Sequence, residues 1–225
     1  MTEPGDPYLP SWRRPIAGAF RLLGRHSVTA CVRLGIHPNT VSLSSIVAST
    51  GAGACFLFAR DHPALLLAGV GLCYVRLWLN MLDGMVALES GKASRWGEIL
   101  NDLPDRVSDV VIFAGVAHSG LCSPLLAYWV AILAVLVAYV GVFGQAIGVQ
   151  REFSGVMAKP WRMVALNVGA WLVLWDLWFG DGDLRVAGGE LTALDWTHVA
   201  ILMGCVQSIW IRLVRIRRSL QVEQR

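Results

Sequence analysis

The sequence predicts an all-α integral membrane protein in which six transmembrane helices follow an N-terminal interfacial amphipathic helix. Three observations carry that prediction. Of 225 residues, 55% are hydrophobic and 16% charged, too apolar a balance for a soluble domain of this length. Apolar runs of the length a bilayer demands, roughly 20 residues, recur six times, near 41–60, 64–88, 99–119, 124–148, 161–180 and 197–214. Sixteen of the nineteen Lys and Arg fall on one side of such a six-span path, leaving Arg60 and Arg185 opposite and Arg76 inside a span.

Ahead of the first span, Trp12, Ile16, Phe20 and Leu23 recur at helical spacing, while Arg13, Arg14, Arg21 and Arg25 take the other side. Such a helix lies in the interface against anionic headgroups. The first 26 residues carry four arginines and no short apolar run, so no cleavable secretory leader is expected. The expected organisation is a cytoplasmic N-terminus over 1–36, a six-helix transmembrane domain over 37–217 and a cytoplasmic tail over 218–225. The Lys and Arg bias places both ends in the cytoplasm of a multi-pass protein of the inner (plasma) membrane. The loop carrying Asp181, Asp183, Glu190 and Asp195 then falls outside, and Trp171, Trp175 and Trp178 read as an aromatic belt at that outer interface.

The five cysteines (Cys31, Cys55, Cys73, Cys122 and Cys205) are scattered without a C-x2-C pair and read as free thiols, with neither zinc nor a disulfide framework expected. His26, His37, His62, His118 and His198 show no pair at ligand spacing and receive no role.

The second and third spans are not purely apolar, and ionisable groups inside a membrane default to a functional reading because they are expensive there. Arg76, Asn80, Asp83 and Ala87 form one stripe of the second span; Gly97, Asn101, Asp105 and Asp109 form one stripe of the third. Joined by a short turn, the two stripes make an oxygen-rich pocket at the cytoplasmic end of a helix pair. Hard oxygen ligands suit Mg2+ or Mn2+, and a cation held that way usually holds phosphate as well.

The segment Asn80–Asp105 resembles the signature of the CDP-alcohol phosphotransferases, D-x2-D-G-x2-A-R-x8-G-x3-D-x3-D. Asp83, Gly84, Ala87, Gly97 and Asp105 fall in register over 26 residues without a gap. His37-Pro38-Asn39-Thr40, just before the first span, is similar to the family's Pro-Asn-x-x-Thr opening. A match of that length at fixed spacing is far more specific than a lone glycine motif. Three positions depart from the pattern: Asn80 and Asn101 stand where aspartates are expected, and Leu88 where an arginine is expected. Two formal charges are thereby missing from a site that in the family holds two metal ions. An amide carbonyl still ligates a divalent cation, but less tightly than a carboxylate. Glu98, Asp102 and Asp109 are near enough in sequence to compensate, although Asp102 is turned about 100° around the helix from Asn101. Pro104 is expected to bend the third span near the pocket.

The resemblance implies transfer of a phosphatidyl-type group from a CDP-linked lipid to a polar alcohol acceptor, with release of CMP. It implies Asp83, Asp105, Asn80 and Asn101 as the Mg2+ or Mn2+ ligands and Asp105 as the general base. Asn80, Asp83, Gly84, Ala87 and Gly97 would meet the nucleotide. Arg151, Lys159 and Arg162 resemble basic residues that relatives place near the acceptor, with ordinary positive-inside charge as the other reading. Arg76 is expected to pair with the carboxylates or a substrate phosphate. Asp109 is read either as a structural partner of Arg76 or Arg106 or as a spare ligand. A non-catalytic binder of a CDP-lipid or headgroup, built on the same fold, is the alternative function. Nucleic acid is not among the expected partners. Relatives are commonly dimers, and for this chain a homodimer stays open.

Overall fold

A computed structural model describes residues 17–223 apart from 93, 181, 183, 187 and 188. Trp12, Arg13, Arg14, Ile16, Asp181, Asp183 and the C-terminal Arg225 lie outside the described residues, as do the side chains of Phe20, Arg21 and Leu23. Seven helices are present among the described residues: α1 (Ala17–Arg33), α2 (Pro38–Leu57), α3 (Leu65–Glu89), α4 (Arg95–Ala117), α5 (Pro124–Ala146), α6 (Lys159–Phe179) and α7 (Ala193–Glu223). The only pairing outside helices there is an isolated bridge between Arg185 and Thr192.

Each of the six predicted apolar runs therefore coincides with one helix, from α2 to α7. Four of them (α2, α3, α5 and α7) are long and apolar enough by themselves to cross a membrane. The other two are more polar: α4 carries Asp102, Asp105, Arg106 and Asp109, and α6 carries Lys159, Arg162 and Asp176. The apolar residues that remain uncovered follow helical spacing. On α5, Leu125, Tyr128, Trp129, Ile132, Leu136, Tyr139 and Phe143 are exposed, while Ala127, Val130, Ala134 and Val137 are buried. Large side chains outside and small ones inside is the inverse of a soluble bundle, and it suits a helix whose outer face meets lipid. Trp171, Trp175 and Trp178 are likewise exposed on α6.

The chain divides into two compact units, with boundaries inside α2, α3 and α4. The first comprises the residues up to Ala48 and Tyr74–Ser108. Its apolar centre joins Val28 of α1, Val41 of α2 and Leu82 and Val86 of α3. Two glycine-terminated helices set its geometry. Gly35 ends α1 with φ +67°, while the Ile36 N–H reaches the Cys31 carbonyl and the Gly35 N–H reaches that of Val32. Gly91 ends α3 in the same way with φ +65°, the Lys92 N–H bonding to Ala87 and the Gly91 N–H to Leu88. Both are Schellman turns, in which the left-handed residue is glycine because a Cβ is costly there. Ser94 then caps α4, its Oγ accepting the Gly97 N–H at 3.0 Å. The short turn between the two polar stripes is thus specified at both ends. Pro104 lies inside α4 without ending it.

The second unit comprises Ser49–Cys73 and Asp109 onward. Within it α7 packs against both α5 and α6. Where α2 and α4 cross, backbones nearly touch: a Cβ on Gly53 would lie 2.7 Å from the Val111 carbonyl oxygen, and one on Gly115 would collide with the backbone of Gly53. The start of α7 is a reciprocal capping box. Thr192 Oγ1 accepts the Asp195 N–H at 3.1 Å, and Asp195 Oδ2 accepts the Thr192 N–H at 3.0 Å.

Candidate functional site

The two polar stripes meet inside the first unit. Asn80 and Asp83 on α3 and Asp105 on α4 are buried, at 8%, 1% and 1% exposure, so they face inward as the helical spacing predicts. Asp83 is the centre of the arrangement. Its Oδ1 accepts the Asn101 Nδ2–H at 2.8 Å and the Gly84 N–H at 2.6 Å. Its Oδ2 accepts the Ser42 hydroxyl of α2 at 2.6 Å. The donors hold the carboxylate in one orientation, and charge-assisted bonds of that kind are the strong ones.

Gly84 lies against the same place: a Cβ there would sit 3.9 Å from Asn101 Nδ2. Ala87 and Gly97 are half-buried, and Gly97 spends its N–H on the Ser94 cap. Leu88, at the position where the signature has arginine, is exposed at 46%. Arg76 is fully buried, and its Nη2 donates to the backbone carbonyl of Asp105 at 3.1 Å. Arg76 therefore ties α3 to α4 at Asp105.

A divalent cation is tested against this donor set by what the buried atoms lack. The Asn80 side chain, on the stripe with Asp83, has neither its oxygen nor its nitrogen hydrogen-bonded among the described residues. Buried amides are almost always satisfied by partners, and an orphan of this kind calls for an explanation. An oxygen ligand awaiting a cation is such an explanation, and Asp83, Asp105, Asn80 and Asn101 are all hard oxygen donors. The residues fit the ion. Asp102, by contrast, does not stand in for Asn101: its Oδ2 accepts from Arg106 Nη2 at 2.6 Å, a helix-surface pair at i and i+4.

The second unit holds the remaining predicted residues. The Asp109 Oδ2 accepts from Arg162 Nη2 of α6 at 2.7 Å, with both side chains buried. Arg162 also donates to the Met157 carbonyl at 3.0 Å. Arg162 is thus held by groups of the protein on two sides. Lys159 is half-buried at the start of α6, and Arg151 stacks over the Phe153 ring at 5.1 Å.

Two residues escaped sequence reasoning. Ser42 stands where the Pro-Asn-x-x-Thr opening places its hydroxyl, counted from Pro38, and that spacing is the signal that could have found it. Arg212 is only 5% exposed on α7; its Nε donates to the Ser154 carbonyl at 3.0 Å and its Nη1 to that of Val137. Its position inside an apolar run was the available signal, obscured because it adjoins the basic C-terminal cluster. None of the five cysteines forms a disulfide among the described residues. Cys122 lies in the loop before α5, where burial, and next the charge of Asp195, push its thiol up to about 12.

A sequence profile of the CDP-alcohol phosphatidyltransferase family matches residues 35–210. The phosphatidylinositol phosphate synthase of Mycolicibacterium smegmatis is 31% identical over 205 residues, covering 88% of this chain and 84% of that protein. Inner membrane protein YnbA of Escherichia coli (strain K12) is 27% identical over 180 residues, covering 79% and 84%. The fold is similar to the crystal structure of Mycobacterium tuberculosis phosphatidylinositol phosphate synthase (PgsA1) with CDP-DAG bound, at a TM-score of 0.66 and 22% identity over 84% of this chain and 90% of that one. The same protein in complex with manganese and citrate gives a TM-score of 0.66 at 21% identity, over 84% and 86%. A profile match over most of the chain shows that this membrane protein belongs to the CDP-alcohol phosphatidyltransferase family.

Proposed function

We propose that the chain is an active phosphatidyltransferase that moves a phosphatidyl-type group from a CDP-linked lipid to an alcohol and releases CMP. The observation that carries this reading is the buried carboxylate of Asp83, oriented by Asn101 and Ser42 inside the segment that matches the family signature. Asp83, Asp105 and the amide oxygens of Asn80 and Asn101 would hold Mg2+ or Mn2+. When bound, such a cation neutralises the diphosphate of the donor. Asp105 takes the proton of the acceptor hydroxyl as it attacks phosphorus, a general-base role that needs a positioned carboxylate. Arg76, through its bond to the Asp105 backbone, fixes where that carboxylate stands. Gly84, Ala87 and Gly97 leave room for the nucleotide beside α3 and α4.

In this reading α2 to α7 are all spans of a domain over 37–217, and the buried pairing of Arg162 with Asp109 is what supports α6 and α4 as spans. Residues 1–36 and 218–225 are cytoplasmic, and the site opens to the cytoplasmic face of the inner membrane. There the lipid donor arrives from the bilayer and the polar acceptor from the cytosol. The similarity to phosphatidylinositol phosphate synthases makes an inositol phosphate the first acceptor to try. Arg151 and Lys159 are the basic residues that would meet its phosphate; Arg162 is engaged with Asp109.

A second reading is favoured by one specific feature. Asn80 and Asn101 remove two charges where the signature has carboxylates, so the protein would hold a CDP-lipid without turning it over. One experiment separates the two: purified protein in detergent with a radiolabelled CDP-lipid, Mg2+ or Mn2+, and a panel of alcohols that includes inositol phosphate. Metal-dependent CMP release establishes the enzyme. CDP-lipid binding with no CMP release on any acceptor establishes the binder.

A further inference from the structure

Three side chains that phosphotransfer does not use converge where the loop after α4 meets the first turns of α7. Cys122, Asp195 and His198 each bring one ligand atom to within 4.8 Å of the other two. Asp195 and His198 are three residues apart and share one face of α7. Cys122 arrives from the loop just ahead of Pro124.

Burial makes this more than a coincidence of neighbours. Asp195 is 3% exposed, and no Lys or Arg among the described residues pairs with it. Its oxygens accept the Ser123 N–H at 2.6 Å and the Thr192 N–H and hydroxyl at 3.0 Å each. A buried carboxylate is normally paired with a cation or bound to a metal. His198 is fully buried, and neither ring nitrogen has a hydrogen-bond partner among the described residues. The capping box accounts for Asp195, and the Cys122 Sγ–H reaches the Val116 carbonyl at 3.5 Å, but both imidazole nitrogens are left without a hydrogen bond among the described residues.

We propose that Cys122, Asp195 and His198 bind Zn2+. A thiolate, an imidazole and a carboxylate make a borderline-soft set that suits zinc and not the hard cations expected at Asp83. Zinc bonds of about 2.0 to 2.3 Å put tetrahedral donor atoms roughly 3.3 to 3.8 Å apart, so a closure of about 1 Å completes three positions. The hydrogen bonds from Ser123 and Thr192 hold the carboxylate as outer partners commonly hold a metal ligand. The ion would tie the α4–α5 loop to the start of α7 and leave a fourth position for water. The sequence alone predicted neither zinc nor a role for His198, because Cys122 is separated from Asp195 and His198 by α5, α6 and their loops.

The test uses the full chain in detergent, stripped with a chelator and loaded with Co2+ as a spectroscopic stand-in. A cobalt–thiolate charge-transfer band is expected that stoichiometric Zn2+ abolishes; the oxygen donors around Asp83 cannot produce one. The band should vanish in Cys122→Ser and weaken in His198→Gln, yet persist in Asp83→Asn and Cys205→Ser. Zn2+ should also raise the melting temperature of the wild type and not that of His198→Gln. Absence of a sulfur band in the wild type overturns the proposal, and so does a band that survives Cys122→Ser. If Cys122→Ser does not fold, an unaltered band and zinc shift in His198→Gln overturn it equally.

Discussion

The Asn101 amide donates to the Asp83 carboxylate across 2.8 Å, so one departure from the family signature has become the partner of a residue that keeps to it. Asn101→Asp would replace that donor with a second carboxylate at the same distance. Like charges so close cannot both stay ionised without a cation. The variant is expected to lose about 1–3 kcal/mol of stability when metal-free, the cost of an unsatisfied buried group, and to recover it when Mg2+ or Mn2+ is added. In Asn80→Asp/Asn101→Asp the metal midpoint for CDP binding should fall roughly five- to a hundredfold. Melting curves with and without metal and a CDP titration read both effects. An unchanged or higher midpoint means that the asparagines serve another purpose.

Asp105→Asn keeps the shape of the site and the backbone carbonyl that Arg76 holds. It removes the proton acceptor. At saturating Mg2+ or Mn2+ the CDP affinity should stay within about twofold, while CMP release falls roughly 10²- to 10⁴-fold, the usual worth of a general base. Wild-type turnover in this variant would assign the base elsewhere.

Arg162 and Asp109 form a buried pair with side chains 4% and 3% exposed. Removing one partner leaves the other charge buried without its 2.7 Å ion pair, so Arg162→Met and Asp109→Leu should each destabilise by about 3–5 kcal/mol, whereas the double variant recovers much of the loss. A thermal-melt double-mutant cycle measures the coupling. If Arg162 instead serves chiefly to bind an acceptor phosphate, Arg162→Met would melt normally and raise only the acceptor KM.

Gly115 of α4 has no room for a side chain, because a Cβ would collide with the Gly53 backbone of α2. Gly115→Ala must push two backbones apart and should cost at least about 1–3 kcal/mol, the usual cost of overpacking. Gly71→Ala, where a Cβ would meet nothing within 4 Å, is the control. Equal melting temperatures for the two variants would refute the close crossing.

Topology is tested with reporters. One fused after Arg225 and one inserted near Gly91 should both read cytoplasmic, since an even number of spans lies between the α3–α4 turn and the C-terminus. Reporters on opposite sides would break the six-span path.

The helices themselves were legible in the sequence, because apolar length and the 3.6-residue period are local properties and each predicted run coincides with one helix. The two stripes that bury Asn80, Asp83 and Asp105 follow from spacing alone, and so does the register of the family signature. What each side chain touches was decided by the tertiary structure. Asp83 meets Asn101 from 18 residues away and Ser42 from 41, and Asp109 meets Arg162 from 53. Asp102, a possible substitute ligand by sequence distance, is turned to Arg106 by the 100° step of the helix. The grouping of Cys122 with His198 had no trace in local spacing at all. Periodicity determines which face of a helix is turned inward; only the packing of one helix on another determines what that face finds there.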